Sequence, residues 1–426
     1  MKKFYIVYLI ILVIGCKQED IDSDKFVMRA ANPKATIDDG SVQLHLDNYA
    51  ATEYVLLPYE RVKPDKFDIY ISKNDLSNFH KLIELEYDEI CSYTIDELQN
   101  GSPCFFYVVS KKKGYKSITS DTIMVVPNKR KEFEILQATQ QSGGDAHTLF
   151  NVSVAHQKNK IAYSDAYYSW EGGSDCCMGI SVIISNMDGS EKELVDIDSY
   201  HPCWSPGNDK IVFHTEKGEI NQGDGMPSQI ALYDCETKSI TKLTEGNDYN
   251  YAPVFAANGE FLLYQSSKKA NTPDIYATNI WMMNLKTLED FQITDVAKTS
   301  LLTVERPCWI DNDRFLFHGI NSEGKSQLYE SSVSNKQINK VFDSLWSDYT
   351  PSISPDQKKI AFISNRSGYN QVWIYDMDAK RYYQITGYTL QESIDRYWCN
   401  IEWLDNVTIV FTYNSSQYLL LKQKVT

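Results

Sequence analysis

The chain has 426 residues, 42% of them hydrophobic and 13% aromatic with 29 tyrosines, and it carries a formal charge of −15. Apolar content of that order excludes a disordered chain and is enough for the cores of two modules. The acidic balance excludes a nucleic-acid binder, which needs clustered cations for the phosphate backbone.

The first residues read as an export signal. Lys2 and Lys3 precede an apolar run over residues 4–14, and Gly15 and Cys16 follow it. The run is short against the roughly 20 residues of a membrane span and suits a cleaved secretory signal over residues 1–16. Its Gly-Cys ending resembles a bacterial lipoprotein box, which implies cleavage before Cys16 and lipidation of its thiol. Residues 17–30 begin KQEDIDSDK, are polar and acid-rich, and show no apolar periodicity, so they read as a tether. Acidic residues just behind the lipidated cysteine resemble the export tag of surface-displayed Gram-negative lipoproteins. An outer membrane lipoprotein is expected, on the cell surface or the periplasmic face.

Residues 31–128 contain VQLHL, FDIYIS, KLIEL, SYTIDEL, CFFYVVS and TIMVVP, short alternating strands bounded by turn residues. That pattern predicts an immunoglobulin-like β-sandwich. The stretch SYTIDELQNGSPCFFYVVSKKKGYKS resembles a fibronectin type III domain, although Cys104 stands where that family keeps a corner tyrosine. Lys111, Lys112 and Lys113 read as solvating a strand end. The basic, turn-forming PNKRK that begins at Pro127 marks the boundary.

Residues 129–426 are dominated by one repeated phrase. HPCWSPGNDKIVFHT begins at His201 and returns as APVFAANGEFLLYQS, RPCWIDNDRFLFHGI and TPSISPDQKKIAFIS, with weaker copies at NVSVAHQKNKIAYSD and NIEWLDNVTIVFTYN. Each copy reads as a hairpin, and two more short strands follow, as in QIALYDCETKSITKLTE. Repeats of roughly 50 residues with four strands each describe propeller blades. PCWSPGNDKIVF resembles the TolB-like (WD40-like Pro-Asp) propeller repeat, which implies an all-β chain with a six-bladed β-propeller after the sandwich. The last copy holds only three strands, and FEILQAT over residues 133–139 is expected to supply its fourth.

Nine cysteines become eight without Cys16, no CxxC occurs, and Cys203 and Cys308 share one register, so no zinc site is read and no cofactor is expected. No G-x-S-x-G, phosphate loop or H-E-x-x-H occurs either. Alternation along their strand places His214 and His318 between blades.

The residues leading into the inner strands, and the long loops beside them, gather aromatics with polar groups. Tyr167, Tyr168, Trp170, Tyr200, His201, Tyr249, Tyr251, Arg306, Tyr349, Tyr397 and Trp398 are the candidate ligand contacts. Flat rings suit sugar faces, and amides and carboxylates suit hydroxyls. The leading expectation is a monomeric, non-catalytic binder of a glycan or envelope protein, held to the membrane by its lipid anchor. The alternative is a channel-centred polysaccharide lyase or hydrolase acting through His201, Glu305, Arg306 and Asp348.

Overall fold

Alternating apolar residues settle into strands throughout, because each strand buries one face against a neighbouring sheet. The structure, a computed structural model, describes residues 30–46, 63–88, 91–129, 134–138, 145–155, 157, 159–169, 176–216, 227–270, 277–389, 394–396, 399–414 and 418–425.

The N-terminal part forms two sheets. One runs in the order Lys34–Asp38, Ser41–Leu46, Cys91–Ile95; the other runs His80–Glu86, Lys66–Lys73, Cys104–Lys111, Ile118–Thr119, with Ile123–Val125 also on Cys104–Lys111. Both contribute to one apolar cluster, with Ile37, Val42 and Leu44 from the first and Phe67, Ile69 and Phe106 from the second. Lys111 and Lys112 do more than solvate a strand end. Lys111 and Lys81 hold the buried carboxylate of Asp68, and Lys112 pairs with Asp65 at 3.0 Å.

The rest is a β-propeller. Among the described residues it has six four-stranded antiparallel sheets, the first five each built from consecutive strands. The sixth consists of Ile401–Asp405, Thr408–Asn414 and Tyr418–Lys424, and Glu134–Ala138 pairs with the last of these as its fourth strand. The chain thereby closes its own edge, as the orphan strand FEILQAT implied.

The innermost strands are Asp145–Ala155, Ser199–Trp204, Asn250–Phe255, Leu301–Trp309, Asp348–Ile353 and Ile401–Asp405. Each touches the next, and the last touches the first, so they ring one axis. Repeat tryptophans wedge between sheets. Trp309 and Trp403 donate their indole N–H to the carbonyls of Val254 and Ser352 on the preceding inner strand. The Ser-Pro turn is also explained: Ser205 Oγ accepts from the Lys210 amide at 3.0 Å and donates to Asp209 at 2.8 Å, which pins the hairpin.

The two parts share an interface. Amides of Ala35 and Ile37 donate to the carbonyls of Ser367 and Gly387, and Phe105, Met124 and Val126 pack with Phe362 and Trp373 of the fifth sheet. The edge strand Lys34–Asp38 is thereby covered.

Candidate ligand site on the propeller axis

Five inner strands carry the same irregularity. Their pairing slips between Phe150 and Ser153, Tyr200 and Cys203, Tyr251 and Val254, Glu305 and Cys308, and Tyr349 and Ser352. Inside each slip one residue has positive φ: Asn151 at 53°, His201 at 51°, Ala252 at 45°, Arg306 at 55° and Thr350 at 50°. A β-bulge of this kind re-aims a side chain. In four of the five, the next residue is Pro202, Pro253, Pro307 or Pro351, and the break in the ladder is where a residue without an N–H is tolerated.

The bulge amides find partners on the preceding sheet. His201 N–H donates to Ser164 Oγ at 3.1 Å, Arg306 N–H to Gln265 Oε1 at 2.9 Å and Thr350 N–H to His318 Nδ1 at 3.4 Å. Since Nδ1 of His318 accepts, its Nε2 carries the proton and faces Glu305 at 3.5 Å. His318 thus lies between sheets, as alternation implied, and so does His214, which packs edge-on against Tyr251 at 5.1 Å.

The bulge residues surround an axial cavity of about 230 Å³ whose wall draws on all six inner strands. Asn151, His201, Arg306, Thr350 and Asn400 form one level of the wall, and Cys203, Cys308 and Glu402 line it two positions further along their strands. Arg306 Nη1 donates to Asn151 Oδ1 at 3.1 Å, and Asn400 Nδ2 donates to the Val152 carbonyl at 2.5 Å. Yet both ring nitrogens of His201, Nδ2 of Asn151, Oγ1 of Thr350 and Oδ1 of Asn400 are buried with no hydrogen-bond partner among the described residues. Buried polar atoms are satisfied in nearly all proteins, and a cluster of exceptions around one cavity marks a place for an outside group.

Electrostatics sharpen the picture. Burial draws the Arg306 guanidinium down to about 10, which leaves it charged at neutral pH. Burial first, then the charges of Arg306 and His214, holds His201 well below its usual range, so its ring is neutral. Burial pushes the Glu402 carboxyl up to about 8, which keeps it largely protonated. The thiols of Cys203, Cys308 and Cys399 rise to about 12, chiefly through burial, so none is a thiolate nucleophile. No group of three His, Cys, Asp or Glu among the described residues is arranged to hold a metal ion.

Of the residues singled out from sequence, His201 and Arg306 line the cavity. Tyr200, Tyr249 and Tyr251 join His214 and His201 in one aromatic group: His214 stacks on Tyr200 at 5.1 Å and on His201 at 4.8 Å, and Tyr249 on Tyr251 at 6.2 Å. The Tyr200 hydroxyl donates to Glu216 at 3.1 Å. Tyr349 is buried, packs edge-on to His318 and accepts from Arg396. Tyr167 is half-buried on the second strand of the first sheet. Trp170, Tyr397, Trp398, Cys16 and the side chain of Tyr168 lie outside the described residues.

The four groups considered for chemistry are not brought together on the cavity. Glu305 is engaged by His318; burial raises its pKa, but the His318 bond and the charges of Arg306 and Arg396 outweigh that and lower it. Asp348 is fully buried and held by Arg366 at 2.7 Å, away from the cavity lining. Asn151, Thr350, Asn400 and Glu402 were missed, although the repeat alignment places them in register with His201 or Cys203.

No protein-family model matches the chain. It is 24% identical over 344 residues to the Tol-Pal system protein TolB of Francisella tularensis subsp. tularensis (strain FSC 198), covering 74% of this chain and 72% of that protein. The propeller of this chain is TolB-like. Solved structures with similar strand arrangement include TolB from Acinetobacter baumannii, at 17% identity and TM-score 0.43, covering 76% of this chain and 78% of that one. An oligogalacturonate lyase in complex with manganese aligns at 10% identity and TM-score 0.44, covering 70% of this chain and 97% of that one.

Proposed function

We propose that the protein is a non-catalytic binding protein of the cell envelope, in which a six-bladed propeller captures a glycan or protein partner at its axial cavity. The observation that carries this reading is the ring of unpartnered polar atoms on His201, Asn151, Thr350 and Asn400 around the Arg306 side chain in the same cavity wall. Binding fits such a wall better than catalysis: the neutral His201 lacks an orienting carboxylate in any described bond, and Glu305 and Asp348 are engaged elsewhere.

Similarity to a Tol-Pal system protein supports placement in the envelope. The strand orders of the two N-terminal sheets and their common core support a fibronectin type III-like sandwich as a spacer. The export signal and Gly15-Cys16 support a lipid anchor.

Glycan-array binding beside a polysaccharide turnover assay tests the reading. Binding that is lost in Arg306→Gln, without turnover, is the expected result. Turnover that disappears in Glu305→Gln would replace it with the lyase or hydrolase reading. Cys16→Ser is expected to free the protein from membranes, and retention there would remove the lipid anchor.

A further inference from the structure

The electrostatics of the cavity wall narrow what can occupy it. Arg306 makes no demand for an anion, because the carboxylates of Glu305 and Asp395 already act on it and Asn151 Oδ1 accepts one of its N–H groups. Glu402 makes none for a cation: burial keeps its carboxyl largely protonated at neutral pH, and no charged side chain contributes to that shift. His201 is neutral as well. A charged ligand would lose its hydration at this wall without gaining an unengaged counter-ion, whereas a neutral one meets no such penalty.

What the wall offers is a mixture of hydrogen-bonding groups. Asn151 spends Oδ1 on Arg306, and the Nδ2 left over is a donor. Asn400 spends Nδ2 on the Val152 carbonyl and keeps Oδ1, an acceptor. Thr350 adds a hydroxyl, the neutral His201 one N–H and one bare nitrogen, and the protonated Glu402 an O–H beside a carbonyl oxygen. Hydroxyls donate and accept at once, so a ligand bearing several of them answers every one of these groups without carrying charge. The prolines that follow four of the bulges, with Val254 and Trp309, give the same wall an apolar surface suited to the C–H face of a sugar ring.

Size sets the number of rings. The cavity of about 230 Å³ exceeds the ~150 Å³ that holds benzene, a bare six-membered ring, and falls below the roughly 300–1,000 Å³ of pockets for drug-sized molecules. One six-membered ring fits with its hydroxyls. Every lining residue lies in register with His201 or after it on its own strand, as far as Phe255 and Trp309 at the strand ends. The ring therefore sits in the half of the axis toward the hairpin turns, beyond Tyr200 and Tyr249.

We infer that the axial cavity takes a single neutral hexose residue, its hydroxyls shared among Asn151, His201, Thr350, Asn400 and Glu402 and its ring against the prolines. The inference rests on the reading of this cavity as the binding site and adds the class of ligand, an uncharged sugar held by one residue.

Calorimetric titration of the full-length protein with the methyl glycosides of glucose, galactose and mannose, each beside the uronate and the amino sugar of the same configuration, tests it. At least one neutral glycoside is expected to bind about tenfold or more tightly than its charged counterparts. Thr350→Val removes a hydroxyl that has no partner in the protein and keeps the shape, so it should weaken that binding about fivefold. A uronate or amino sugar that binds as tightly as its neutral counterpart, no binding by any of the neutral glycosides, or neutral-sugar binding indifferent to Thr350→Val overturns the inference. Ala252→Leu, which fills the cavity while leaving every polar group, separates the two levels of failure. Glycan-array binding lost in Ala252→Leu when no neutral glycoside binds overturns the neutral hexose and leaves the cavity as the site. Array binding indifferent to Ala252→Leu overturns the cavity reading itself. Thermal melting of each variant confirms that it is folded.

Discussion

Arg306 Nη1 donates to Asn151 Oδ1 at 3.1 Å across 155 positions of sequence, joining the fourth sheet to the first through the axis of the ring. Drawing a guanidinium into the wall of a cavity costs free energy, and residues kept for binding commonly reduce stability. Arg306→Met is therefore expected to leave the fold as stable as before or more stable, within about 1 kcal/mol, while abolishing ligand binding. Urea unfolding checks this: a loss of about 2 kcal/mol or more would make Arg306 a structural residue.

Glu402 gives a pH signature. Its folded-state pKa of about 8 lies above the ordinary 4.5, with burial as the cause. Between those values the folded chain holds a proton that the unfolded chain releases, so stability falls as pH rises through that window, by up to about 1.4 kcal/mol per unit. Glu402→Gln removes the titration and keeps the shape. The variant and the parent should melt alike at pH 5, and the variant should melt higher at pH 8 to 9. Parallel melting curves across the range would show that Glu402 is hydrated.

The ring was legible in the repeat, and so was its chemistry in part. Writing the six copies one above another puts Asn151, His201, Ala252, Arg306, Thr350 and Asn400 in one column, and all of them reach the cavity. His201 and Arg306 stood out because charged or titratable side chains attract notice; Asn151 and Thr350, at the same register, did not. What the sequence hid was the bulge. It breaks the two-residue alternation, so counting outward from Trp204 misassigns the faces of the residues before it. Tyr349 and Glu305 looked available for a ligand, but they sit where one sheet meets the next and are occupied by Arg396 and His318. Asp348 is likewise held by a partner 18 residues away, Arg366, whose guanidinium lies over Tyr382 at 4.3 Å and Trp373 at 5.1 Å. No local pattern announces that pairing.

The junction between the two parts depends on Gly368. Its φ is +93°, and a Cβ there would lie 2.2 Å from the Pro33 carbonyl oxygen, so even alanine forces the backbones apart. Gly368→Ala should cost about 2–4 kcal/mol at the interface and split one calorimetric transition into two. It should also raise the rate of tryptic cleavage after Lys129. A single transition at the parent temperature would mean that the two parts are not coupled through this contact.

Closure of the ring by Glu134–Ala138 makes a prediction with an internal control. Leu136 packs against the cluster of Ile161, Tyr163 and Val410, whereas its neighbour Ile135 is 58% exposed. Leu136→Asp should cost about 2–4 kcal/mol by placing an unpaired charge against that cluster, and Ile135→Ser should change stability by less than about 0.5 kcal/mol. Release of the strand would also expose the unpaired edge of Tyr418–Lys424, a template for pairing with a second chain. Leu136→Asp is accordingly expected to associate on size-exclusion chromatography with light scattering, while Ile135→Ser stays as the parent does. Equal effects of the two substitutions would mean that this strand does not dock with Leu136 inward, and closure would have to come from another segment.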